Sequence, residues 1–117
     1  MLLTLFHAKI FRAKVTEANL AYEGSISVDG DLIRAAQIHP QERVQVLNHN
    51  NGERLETYVI EAPSGSGVIC LNGPAARAGQ PGDLVTIIAY AQVTEEEARD
   101  WRPMIVHVDS ANRPLPA

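Results

Sequence analysis

The apolar residues of this chain come in short runs, each stopped by turn-forming residues. The runs span residues 9–15, 44–47, 55–60, 68–71, 84–91 and 104–108. Runs this short, bounded by Gly, Pro and Asn, suit strands rather than helices. The pattern predicts a mainly β fold, a small barrel or sandwich. Asn50-Asn51-Gly52 separates the second and third runs. These residues tolerate the positive φ of a tight turn, so a hairpin is expected there. Two short helices interrupt the strands. Asp31 is placed to cap a turn carrying Leu32, Ile33, Ala35 and Ala36, which stops before Pro40. Thr94 followed by Glu95, Glu96 and Glu97 is a capping-box pattern, and its acids suit the helix dipole.

A length of 117 residues suits one domain with a genuine core. Residues 1–111 are expected to form that domain. Residues 112–117, with Pro114 and Pro116 and no packing residues, are expected to be a flexible C-terminal tail. The formal net charge of −4 comes without any basic run, which argues against a nucleic-acid partner. The longest apolar stretch, 84–91, contains Thr86 and is far too short to span a bilayer. The N-terminus has no positively charged leader, so no signal peptide is expected. Cys70 is the one cysteine, so no intrachain disulfide can form, and a reducing cytoplasm fits.

Few residues suggest chemistry by themselves. His7, His39, His49 and His107 lack metal-ligand spacing, so no metal site is expected. Cys70 sits within an apolar run, where an inert buried thiol is expected. Gly65-Ser66-Gly67 lacks the Lys of a phosphate-binding loop and reads as a turn. Gly24-Ser25 has a distinctive reaction open to it. A Ser hydroxyl can attack the carbonyl before it, and Gly offers least resistance to the backbone strain involved. The resulting ester can lose its carboxylate by β-elimination, and hydrolysis then leaves an N-terminal pyruvoyl group. That ketone condenses with amines and serves as an electron sink. Gly-Ser dipeptides are common, however, a second one stands at Gly65-Ser66, and taken alone this one reads better as an ordinary turn.

Four blocks of sequence change that balance. The segment KIFRAKVTEANLAYEGS, 9–25, includes Tyr22-Glu23-Gly24-Ser25. Asn51-Gly52-Glu53-Arg54 precedes Thr57-Tyr58. Asn72-Gly73-Pro74-Ala75-Ala76 precedes Gly82-Asp83, and Glu96-Glu97-Ala98-Arg99 precedes Trp101-Arg102-Pro103. In this order and position the blocks resemble the bacterial pyruvoyl-dependent aspartate 1-decarboxylases. The resemblance implies a closed double-psi β-barrel, a homotetramer with its site between subunits, and decarboxylation of L-aspartate to β-alanine for pantothenate synthesis. It implies cleavage between Gly24 and Ser25, with Ser25 becoming the pyruvoyl cofactor. It makes Tyr58 the proton donor and assigns substrate carboxylate to Lys9 and Arg54. Thr57, Asn72, Gly73, Pro74 and Ala75 would line the substrate site. Some relatives need a helper protein to mature.

The residue types agree with those roles. Arg can grip one carboxylate of aspartate bidentately. In a strand, Arg54, Glu56 and Tyr58 face one way, and Leu55, Thr57 and Val59 the other. Thr57 can therefore serve self-cleavage, as a donor to the oxyanion at Gly24, while Tyr58 serves turnover. Three departures bear on substrate preference: relatives often carry His at Phe11, Trp at Leu47 and Ala at Pro74. Pro74 removes one backbone N–H. Two other readings remain open here. One is a pyruvoyl enzyme for another acidic amino acid, such as glutamate or a sulfonated aspartate analogue. The other is a non-catalytic barrel that binds a ligand and never processes.

Overall fold

Alternation along the strands sets the architecture. In β4 (Arg43–Asn48) Val44, Val46 and Asn48 are buried, and the residues between them are more open. Such a strand needs a core on one face only. A computed structural model describes residues 1–116, in which there are seven further strands. They are β1 (Leu2–Lys14), β2 (Glu17–Asn19), β3 (Ser25–Asp29), β5 (Arg54–Ala62), β6 (Ile69–Asn72), β7 (Leu84–Thr94) and β8 (Met104–His107). Helix α1 (Gly30–Ala36) follows β3, a 3-10 turn (Gly73–Arg77) follows β6, and α2 (Glu95–Ala98) follows β7.

The strands form one ladder in the order β2-β6-β3-β5-β4-β7-β1-β8. Its β1 and β2 are successive parts of one bent segment. At the bend, Val15 N–H donates to Asp83 O and Thr16 N–H to Ile69 O, both at 2.8 Å. One piece of chain thus borders β7 along its first part and β6 along its second, which closes the ladder into a barrel. Strand β8 lies outside it, parallel to β1. Pairings β2–β6 and β3–β5 are also parallel. Ile10, Ile26, Leu32, Ile69, Leu71 and Ile87 fill the interior with no more than 1% exposure. Each contributes roughly 1.5–3 kcal/mol by leaving water.

The expected hairpin is present. Gly52 adopts φ +78°, its N–H donates to Asn48 O at 3.0 Å, and Leu47 pairs with Arg54. The capping box at α2 is also present, with Thr94 and Glu97 bonded reciprocally at 3.1 and 2.8 Å. Other expectations need correcting. Strand β1 starts at Leu2 rather than residue 9, because its pairing with β7 runs on to Thr94. Strands β2 and β3 carry too few apolar residues to stand out by pattern. Helix α1 is capped by Asp29, not Asp31, and ends where Gln37 turns left-handed at φ +60°. The tail was expected to hold no packing residue, yet Asn112 is 2% exposed. Its side chain takes the Lys14 N–H and donates to the carbonyls of Lys14 and Gly67.

Asp29 joins two parts of this frame. Its fully buried carboxylate accepts the N–H groups of Asp31, Gly65 and Gly67 at 2.8–2.9 Å. Burial pushes this carboxyl up, but those three N–H bonds, with Arg113 nearby, hold it below the usual range. A depressed folded-state pKa gives stability that is present at neutral pH, begins to be lost as pH falls below the ordinary carboxyl value, about 4, and is gone only below the lowered folded value. Asp29→Ala is expected to cost about 2–4 kcal/mol at pH 7. Chemical unfolding at pH 7 and pH 3 checks this, since the gap between variant and wild type should narrow in acid.

Candidate active site

Strand β3 lies between β5 and β6, so Ser25 is placed by two neighbours. Ser25 pairs with Asn72 of β6, and Ser27 with Cys70. Ile26 and Val28 point into the core, so Ser25, Ser27, Cys70 and Asn72 share the opposite face. That face is covered, not open: Ser25 is 0% exposed and Asn72 3%. The Asn72 amide donates to Ser25 Oγ and Ser27 Oγ, both at 2.9 Å. Its Oδ1 accepts the Cys70 S–H at 3.2 Å. Burial, then the nearby Glu17 carboxylate, pushes the Cys70 thiol up, so it stays protonated at neutral pH. Cys70 and Ser27 are members of this network that no motif singled out.

The chain before Ser25 is held just as closely. Gly73 sits at φ +63°, and a Cβ there would fall 2.6 Å from Tyr22 O and 2.8 Å from Gly24 N. Only Gly permits this approach. Pro74 packs alongside, its Cδ 3.5 Å from where a Cβ on Gly24 would stand. Pro74 also occupies the first turn of the 3-10 segment, where a missing N–H costs nothing to the fold. Ala75, in the same turn, is buried. The fold therefore brings Gly24, Ser25, Asn72, Gly73, Pro74 and Ala75 to one place.

Tyr58 and Thr57 lie on β5, the parallel neighbour of β3. The β3–β5 pairing starts at Ile26 and Val59, so Ser25 and Gly24 precede it on β3 as Tyr58 and Thr57 do on β5. Exposure alternates along β5, with Arg54, Glu56 and Tyr58 open and Val59 buried. Tyr58 thus points outward, and Thr57 turns the other way. Arg54 lies on the Tyr58 face, and among the described residues it pairs with no carboxylate. Lys9 lies in β1, three strands along the ladder from β5. Its Nζ stands 5.0 Å from the Phe6 ring centre.

The departures noted in the sequence fall on the same sheet. Phe11 meets His49 and His107 edge-on, with ring centres 5.9 and 5.6 Å apart. His49 Nε2 bonds Thr86 Oγ1 at 2.6 Å, and Thr86 also accepts the N–H of Arg12, a residue at φ +58° in the β1 bulge. Leu47 stands between Arg54 and Thr86 in register. Phe11 thus sits in an aromatic–imidazole cluster with His49 and His107.

A family model described as aspartate decarboxylase matches residues 1–115. An aspartate 1-decarboxylase of Pelotomaculum thermopropionicum is 60% identical over 113 residues, covering 97% of this chain and 86% of the relative. One from Carboxydothermus hydrogenoformans is 58% identical, covering 97% and 89%. One from Salinibacter ruber is 54% identical over 110 residues, covering 94% and 75%. With a match across nearly its whole length, at these identities, on a barrel that gathers Gly24, Ser25 and Asn72 into one buried cluster, the chain belongs to the aspartate decarboxylase family.

Proposed function

We propose that the chain cuts itself between Gly24 and Ser25 and then decarboxylates L-aspartate to β-alanine and carbon dioxide. The observation that carries this reading is the buried Ser25 hydroxyl, which accepts an N–H from Asn72 while Gly73 lets residues 22–24 pack against it. Asn72 stabilises negative charge on Oγ as it attacks the Gly24 carbonyl carbon. The new C–O bond forms, the Gly24–Ser25 C–N bond breaks, and the Ser25 nitrogen takes the proton. Loss of the Ser25 Cα proton then expels the Gly24 carboxylate from Cβ. The remaining enamine tautomerises, takes up one water and releases ammonia, leaving residue 25 as an N-terminal pyruvoyl group.

The residues around Ser25 fit such a group: Asn72 offers it an N–H, and Tyr58 lies on the neighbouring strand β5. The pyruvoyl ketone supplies a carbon that condenses with the substrate amine and an electron sink for the pair left by carbon dioxide. Tyr58 holds the proton that the α-carbon receives. Arg54 grips the substrate carboxylate that is retained. The N–H groups of Gly73 and Ala75 face the substrate without help from Pro74. The family pattern puts such a site between copies in a homotetramer. The exposed Tyr90, Met104 and Ile105 on this sheet give such a neighbour apolar surface to cover.

The test is product formation with mass analysis of the same sample. Active protein should contain fragments 1–24 and 25–117 and should release β-alanine from L-aspartate. An active sample made only of intact chain, or a cleaved one that prefers glutamate, overturns the reading. Within that assay Arg54→Ala should lower kcat/KM for aspartate by roughly 10–100-fold, since a charge-assisted hydrogen bond contributes about 1.5–3 kcal/mol. Wild-type kinetics would make Arg54 a solvated strand residue.

A further inference from the structure

We propose that Cys70 is a positioning residue for self-cleavage, its S–H holding the Asn72 amide with the NH2 group turned towards Ser25. This rests on the reading that Gly24–Ser25 is the bond cut. The Asn72 amide is fully used: its two N–H bonds go to Ser25 Oγ and Ser27 Oγ, and Cys70 is the group 3.2 Å from its Oδ1. An amide can rotate by half a turn and exchange its oxygen and nitrogen at almost no change in shape. The two serines do not choose between these orientations, because a hydroxyl donates as readily as it accepts. The thiol does choose. Protonated, it is a donor and only a weak acceptor, so it selects the carbonyl. Its other oxygen neighbours, Glu17 Oε2 and Leu71 O, are both 4.0 Å away, too far to compete with the contact at 3.2 Å. Burial keeps the thiol in its donor form.

The choice matters for the reaction. With NH2 towards Ser25, Oγ accepts an N–H and its own proton is free to leave as Oγ bonds to the Gly24 carbon. That proton ends on the Ser25 nitrogen when the C–N bond breaks, and Asn72 keeps its own. With the amide turned round, Oδ1 would accept the Ser25 O–H and hold back the proton that must depart. Cys70 touches no reacting atom; it acts through Asn72.

The experiment follows precursor cleavage over time by intact mass in the full-length wild type, Cys70→Ser and Cys70→Val. Serine keeps a donor at this position, and valine keeps the bulk without one. Cys70→Ser should cleave within a few-fold of wild type. Cys70→Val should be slower on the order of tenfold, the scale of one neutral hydrogen bond. Similar thermal midpoints for the two variants would show that packing is not the cause. Equal cleavage rates in the Ser and Val variants, fast or slow, beside a wild type that cleaves, overturn the positioning role alone. A wild-type chain that stays intact while active overturns the cleavage reading beneath it.

Discussion

Ser25→Ala is expected to leave one intact chain that folds normally and makes no β-alanine. The loss should be complete, because the side chain supplies both the attacking oxygen and the carbon skeleton of the cofactor. No neighbour can replace it: Ser27 Oγ also contacts Asn72, but it follows Ile26 rather than Gly24. Folding should survive. The substitution leaves one Asn72 N–H without its partner in a buried place, which costs about 1–3 kcal/mol. A domain of this size holds about 5–15 kcal/mol in total. Thermal melts and intact mass measure the two halves of this expectation. The wild-type 25–117 fragment should also resist Edman degradation, since a pyruvoyl end carries no amine. Decarboxylase activity in the Ser25→Ala protein would defeat the cofactor assignment outright.

Two adjacent residues of β5 are expected to separate maturation from turnover. Thr57 and Tyr58 leave the strand on opposite sides, just before the point where β5 begins to pair with β3. Cleavage passes through an oxyanion on Gly24, and the Thr57 hydroxyl is the donor proposed for it. Losing such a donor typically slows a reaction ~10²–10³-fold. Decarboxylation needs no oxyanion there but does need an acid at the α-carbon, and a positioned acid contributes ~10²–10⁴-fold. Thr57→Val should therefore accumulate precursor. Tyr58→Phe should cleave normally, still couple substrate to the chain under borohydride, and yet turn over slowly. Time-resolved mass analysis and β-alanine assay read the two steps independently. If both variants fail or succeed together, the residues serve the barrel and not these separate steps. If Tyr58→Phe matures and works at the wild-type rate, the proton comes from elsewhere.

What was legible in the sequence and what was not follows from the range of the interactions. Short apolar runs identified the longer strands, and Asn50-Asn51-Gly52 identified the hairpin, because periodicity and turn chemistry act between near neighbours. The Gly-Ser step and its four surrounding blocks pointed to the family, because its chemistry needs particular side chains in a particular order. Strand β3 stayed hidden: SISVD has only two core residues and takes its strand form from β5 and β6 on either side. Asp29 capping α1 while clasping Gly65 and Gly67, and Asn112 bridging Lys14 and Gly67, depend on contacts spanning up to 98 residues, which no local pattern records. The same holds at the site. By itself the sequence determined that Ser25, Tyr58 and Arg54 are present and that Arg54 and Tyr58 share one face of a strand. Only the tertiary structure decided that Ser25 is buried against Asn72 and that the Cys70 thiol lies 3.2 Å from the Asn72 Oδ1. Burial and register are properties of the closed barrel, and they exist only once distant strands have paired.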